Sequence, residues 1–149
     1  MSIWFKDVET YDGALGAARS GMWASLAFAA MVGLGLVLLL TGNGAMIGVT
    51  PQDFDPAARY VAIAMVLAEL AVALLAAYRF RLGKGLIAGS ATLLIFLLEI
   101  VMKLLSGPFL GVLWYIIYLA VFLGLVNGVR GAWARRSMGD AGALGDTFQ

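Results

Sequence analysis

The sequence contains no cysteine and no histidine. Their absence excludes disulfides, thiolate nucleophiles, Cys/His zinc and iron–sulfur sites, and the usual axial ligands of haem. It also excludes Ser-His-Asp and Cys-His catalytic arrangements. No Gly-x-x-x-x-Gly-Lys-Ser/Thr loop occurs, and the glycines fall inside apolar runs rather than after a strand, so no enzyme activity is expected. Charge is scarce as well. Asp, Glu, Lys and Arg make up 13% of the chain, against roughly 25% in soluble domains, and the net charge is +1. Such a chain has no basic field to attract nucleic acid, which is not expected as a partner. Carboxylates are too few within the apolar runs for an oxygen-only metal site, so neither a metal nor any other cofactor is expected.

What the sequence has is apolar length. Hydrophobic residues are 62% of the 149, and they arrive in four blocks near the ~20 residues needed to cross a hydrocarbon core about 30 Å thick. This predicts an all-α fold, a bundle of four transmembrane helices in one membrane domain over residues 21–136, with spans near 21–40, 59–80, 85–106 and 109–129. The lipid bilayer is the first partner. Residues 1–20 are polar overall, yet Trp4, Val8, Tyr11 and Leu15 recur at the spacing of one helical face. That pattern predicts a short interfacial helix, or an arm that docks on a partner; Asp7, Glu9 and Asp12 make its polar side acidic, unlike a polybasic lipid anchor. A secretory signal would place a shorter apolar core nearer the start. In the loop from Thr41 to Arg59, Thr50-Pro51 and Asp55-Pro56 each set a capping residue before a proline at a helix's first position. Residues 137–149, small and polar with three glycines, are expected to form a flexible tail.

Small residues follow helical spacing in each span, where they let another helix approach closely. In the first span these are Gly21, Ser25, Ala29 and Gly33; in the second, Ala62, Ala73 and Ala76 share a face with Met65, Val66, Glu69 and Val72. In the third, Gly85, Gly89, Thr92, Phe96, Glu99, Lys103 and Ser106 form one stripe, polar toward its end. The fourth has Gly111, Tyr115, Tyr118 and Phe122, then Gly124, Asn127, Gly128 and Gly131. Gly85, Gly89, Gly124 and Gly128 are the expected points of helix packing.

Basic residues fix an orientation. Arg79, Arg81 and Lys84 crowd the second connection, and Arg130, Arg135 and Arg136 follow the fourth span, whereas the first loop carries Asp53 and Asp55 and no cation before Arg59. By the positive-inside rule both termini are expected in the cytoplasm. Trp4, Trp23, Trp114 and Trp133 fall near the expected interfaces, where indole rings anchor helices. With this orientation Glu69 lies ~15 Å below Arg59, Glu99 ~12 Å below Gly107, and Tyr118 ~13 Å below Phe109. Three polar side chains then share one level in the outer half of the membrane, with Lys103 one turn nearer the outside.

Charged side chains inside a span cost at least a few kcal/mol each on insertion scales, so they face a bundle interior, pair, or mark a pathway. Two carboxylates beside one ammonium in a low-dielectric site cannot all stay charged without cost, and one glutamate is expected to hold a proton near neutrality. Glu69, Glu99, Lys103 and Tyr118 are therefore the candidate polar site, with the equipment of a proton relay or cation site. The plainer reading is that Glu99 and Lys103 neutralise each other along one helix, and that Glu69 and Tyr118 serve as interhelical glue. Arg79, Arg81 and Lys84 most simply set orientation, with anionic lipid as the other possibility.

The run Asn127-Gly128-Val129-Arg130-Gly131-Ala132-Trp133, with Tyr78-Arg79-Phe80 and the stretch Gly85 to Gly89, resembles small four-helix membrane proteins of bacteria that have no assigned activity. The resemblance covers the second to fourth spans and implies a location in the bacterial inner membrane. Small multidrug-resistance transporters share the size and helix count, but carry their essential glutamate in the first span, where this sequence has no acidic residue between Gly21 and Leu40. Two functions are weighed: a non-enzymatic accessory or packing subunit, associating with itself or another membrane subunit, and a small oligomeric proton-coupled transporter or channel.

Overall fold

The fold was obtained as a computed structural model, which describes residues 7–41, 55–106 and 112–146. Four helices follow in order: α1 (Tyr11–Leu40), α2 (Pro56–Arg81), α3 (Leu86–Ser106) and α4 (Val112–Asp146). All four are long and apolar enough to span a membrane. The Thr50-Pro51 turn and Gly111 lie outside the described residues.

The helix ends have local causes. The Thr10 hydroxyl accepts from the Gly13 amide at 3.1 Å and caps α1, with Asp12 in the first turn favouring the positive end of the helix dipole. Asp55 is the N-cap of α2 and Pro56 its first residue, as the sequence pattern requires. At the other end Gly83 adopts φ +68, a left-handed conformation that glycine enters without penalty, and turns the chain toward α3 within Leu82 to Gly85.

Each helix packs on its neighbours in sequence, and α4 closes the ring on α1; the diagonal pair α1 and α3 barely touch. The α1–α4 seam is the most extensive. A Cβ on Gly128 would stand 2.5 Å from the Gly21 Cα, one on Gly124 2.6 Å from the Ala24 Cβ, and one on Gly131 2.5 Å from the Ala14 carbonyl oxygen. Numbers fall along α1 as they rise along α4, so the two are antiparallel and in backbone contact over several turns.

Two aromatic groups fill the space left by the small residues. The fully buried Phe80 ring at the end of α2 is enclosed by Gly21 of α1, Gly85 and Gly89 at the start of α3, and Gly128 of α4. Higher in the bundle Phe28 of α1 meets Phe96 of α3 edge-on at 5.2 Å, and Phe96 stacks on Tyr118 of α4 at 5.3 Å. Around this interior the long aliphatic residues point outward, among them Leu74, Leu75, Ile87, Leu94, Leu98 and Ile116.

Two stretches differ from the sequence expectation. Residues 11–20 do not form a separate interfacial helix: they are the first turns of α1, and Ala14, Ala17 and Ala18 are fully buried while Tyr11 is exposed. In a membrane bundle the small residues make the close contact, and here alanines dock the first turns of α1 on the bundle. No proline interrupts the chain from Tyr11 to Leu40, so the helix continues through Ser20 and Gly21. Likewise α4 runs on to Asp146 through most of the expected tail, since alanine and leucine keep helical propensity there and proline is absent. Gly33 also departs from its stripe: a Cβ there would meet nothing within 4 Å.

Candidate functional site

The candidate polar residues come from three helices. Glu99 lies thirteen residues from the start of α3 and seven from its end, about 20 Å and 10 Å along the axis, well inside an apolar span. Four residues later Lys103 falls on the same face, in the order that favours a helical ion pair. The Lys103 ammonium donates to Glu99 Oε1. Tyr118 is brought to this level by α4, where Phe96 holds its ring by stacking and Trp114 flanks it at 6.4 Å.

The Tyr118 hydroxyl closes the cluster. It donates to Glu99 Oε1 at 3.0 Å and accepts from the Lys103 ammonium, which also sits 4.8 Å from the centre of its ring. Glu99, Lys103 and Tyr118 thus form a closed triangle across the α3–α4 seam. Tyr118 is almost fully buried and the Glu99 side chain is 24% exposed, while the Lys103 side chain, 45% exposed, reaches outward as long cations do. The second Glu99 oxygen, Oε2, is buried with no hydrogen-bond partner among the described residues.

Glu69 of α2 is the fourth member. It is half-buried and lies within electrostatic reach of both Glu99 and Lys103, but among the described residues no hydrogen bond joins it to the triangle. The cluster therefore holds two carboxylates against one ammonium. Chemically it can neutralise one carboxylate internally and leaves room for one further proton or cation.

The other singled-out residues are dispersed. Gly85, Gly89, Gly124 and Gly128 all lie at helix contacts, three of them around Phe80. Tyr115 is half exposed, and Met65 lies outward rather than on the packed face of α2. Asn127 is buried and accepts from Arg130 at 3.5 Å. Trp23 and Trp133 are exposed to the surroundings of the bundle, as interfacial anchors would be; Trp4 lies outside the described residues.

Sequence reasoning missed Arg135 as more than a topology signal. Its guanidinium donates to the Leu82 carbonyl at 3.1 Å and to the Tyr11 hydroxyl at 2.6 Å, and lies 4.7 Å from the centre of the Tyr11 ring. It packs directly over Gly83, where a side chain would collide with it. One residue thereby ties the start of α1, the α2–α3 turn and α4 together. The left-handed glycine next to a basic turn was the available signal, but its partner is more than fifty positions away. No protein-family model, curated protein or solved structure matches the chain.

Proposed function

We propose that this chain is a non-enzymatic integral membrane protein that serves as an accessory or packing subunit of a membrane assembly, formed with copies of itself or with another membrane subunit. The observation that carries this reading is the closed triangle of Glu99, Lys103 and Tyr118, in which the strongest polar groups of the span satisfy one another across a helix seam. Groups spent on each other act as interhelical glue. The bundle interior beside them is filled by Phe28, Phe96 and Tyr118 rather than by a polar path.

The proposal includes the orientation and location expected from the sequence: both termini cytoplasmic, in a bacterial inner membrane. The basic residues at the α2–α3 turn and in the second half of α4 support it. Their convergence on one end of the bundle, through Arg135 and Leu82, supports a single cytoplasmic face. At 30 and 35 residues, about 45 and 52 Å, α1 and α4 exceed the hydrocarbon thickness of about 30 Å. The N-terminal turns of α1 and the last turns of α4 then stand at or beyond the cytoplasmic interface as a stalk, paired as far as Tyr11 and Arg135, which replaces the interfacial helix as the partner-docking element.

Purification from native membranes with quantitative mass spectrometry tests this reading. The expected result is one membrane protein, or the chain itself, recovered at fixed stoichiometry and lost when the α1–α4 stalk is truncated. Recovery as a dispersed monomer with no constant companion would overturn it. A second reading, a small oligomeric proton-coupled transporter or channel, is favoured by one observation: the unpartnered Glu99 Oε2 beside Glu69. Its signature is a pH-driven flux that Glu69→Gln abolishes.

A further inference from the structure

A cavity of about 790 Å³ opens at the end of the bundle where α2 turns into α3, on the far side of the molecule from the Glu99 cluster. Four cations line it: Arg79 of α2, Lys84 of the turn, and Arg135 and Arg136 of α4; no carboxylate does. Among the described residues the sole ion pair is Glu99 with Lys103, so none of the four pairs with a described carboxylate. Arg79, Lys84 and Arg136 are exposed, whereas Arg135 is held by Leu82 and Tyr11 and still has its Nε buried without an acceptor.

The rest of the wall is apolar. Leu75 and Val72 continue from Arg79 along α2, four and seven residues toward the membrane centre, about 6 and 10 Å, and Ile87 and Ala91 face the cavity from α3. Cations at the membrane edge, with an aliphatic channel rising from them into the span, complement one chemical class: an anion carrying a hydrocarbon chain.

We propose that this cavity binds an anionic phospholipid, its phosphate held by Arg79, Lys84 and Arg136, its acyl chain lying along Leu75, Ile87 and Ala91. Basic pockets between helices at the cytoplasmic side are suited to such head groups, and guanidinium groups match phosphate oxygens in pairs. The lipid bridges α2, α3 and α4 at the level where Arg135 already ties them. This inference rests on the helices spanning a membrane with this end at the cytoplasmic face, and it stands whichever reading of the polar cluster holds.

The test is native mass spectrometry of the full chain in mild detergent, offered equimolar phosphatidylglycerol and phosphatidylcholine with identical acyl chains. The expected result is preferential retention of phosphatidylglycerol, reduced roughly fivefold by Arg79→Gln and again by Arg136→Gln, the scale of one juxtamembrane cation's contribution. Arg81→Gln, which removes an exposed cation outside the cavity, leaves the preference unchanged. Ala91→Trp, which fills the apolar wall, lowers retention without touching a charge. Equal retention of both lipids, or an equal loss with Arg81→Gln, overturns the proposal in favour of general surface charge. Displacement of the lipid by excess inorganic phosphate, or an unaffected Ala91→Trp variant, overturns it in favour of a free-phosphate site. These positions are exposed, and melting by circular dichroism confirms that each variant folds.

Discussion

Tyr118 is the residue on which the polar cluster depends, because its hydroxyl joins α4 to both charges of α3. Replacing it by phenylalanine keeps the stacked ring on Phe96 and removes the hydroxyl that accepts from Lys103 and donates to Glu99. Interhelical hydrogen bonds in membranes are modest, so Tyr118→Phe is expected to cost about 1 kcal/mol, measured as a shift in unfolding by sodium dodecyl sulfate in mixed micelles. The charges follow a different rule: removing one partner of a half-buried pair strands the other. Lys103→Met is expected to be more destabilising than Lys103→Met with Glu99→Gln together, and a double-mutant cycle with no coupling would contradict the pairing. The Glu99–Lys103 contact was legible from spacing alone, four residues along one helix. Tyr118 and Glu69 were legible only as depths. Which of them bonds to the pair depends on rotation of α2 and α4 about their axes, and that is set by packing elsewhere.

At the scale of the helices, the decisive contact is one large ring among small residues. Phe80 is enclosed by Gly21, Gly85, Gly89 and Gly128, contributed by three other segments of the chain. In a lipid-solvated reference state the ring stays in an apolar medium, so the cost of Phe80→Ala comes mainly from the cavity left behind. About 3 kcal/mol is expected, at the lower end for loss of a buried phenylalanine, by the same unfolding assay. Gly128→Leu acts in the opposite way: its side chain would have to displace the Gly21 backbone, so α1 and α4 separate, and a loss of about 3 kcal/mol is expected by the same unfolding assay. The stripes of small residues told which faces pack. They did not reveal Phe80 as their target, since a phenylalanine beside arginines at a span's end reads equally as an interfacial anchor. The apolar spacing of Val8, Tyr11 and Leu15 suggested a separate interfacial helix, whereas Tyr11 and Leu15 belong to the first turns of α1. In a bundle surrounded by lipid, large apolar side chains carry no directional signal.

On the scale of the whole molecule, the end of the bundle that carries the α2–α3 turn is tied across three segments by one residue. Arg135 fastens Tyr11, the first residue of α1, the Leu82 turn and α4 to one another, and α4 alone continues past it to Asp146. Arg135→Gln should leave the span helices intact but raise amide hydrogen exchange in Leu82 to Lys84, where the carbonyl loses its donor and Gly83 its cover. The number of spans was readable from composition and length, because lipid demands about twenty apolar residues per crossing. The continuity of α1 through residue 20 and of α4 through the tail was not, because helix length beyond the membrane is decided by local capping and by contact between distant segments. The central claim is that the intramembrane charges hold the bundle together rather than move protons. Its most direct test is dissipation of an imposed pH gradient in proteoliposomes containing the purified full chain. The account expects leakage no faster than in protein-free vesicles, for both the wild type and Glu69→Gln; a proton flux present in the wild type and lost in Glu69→Gln would contradict it.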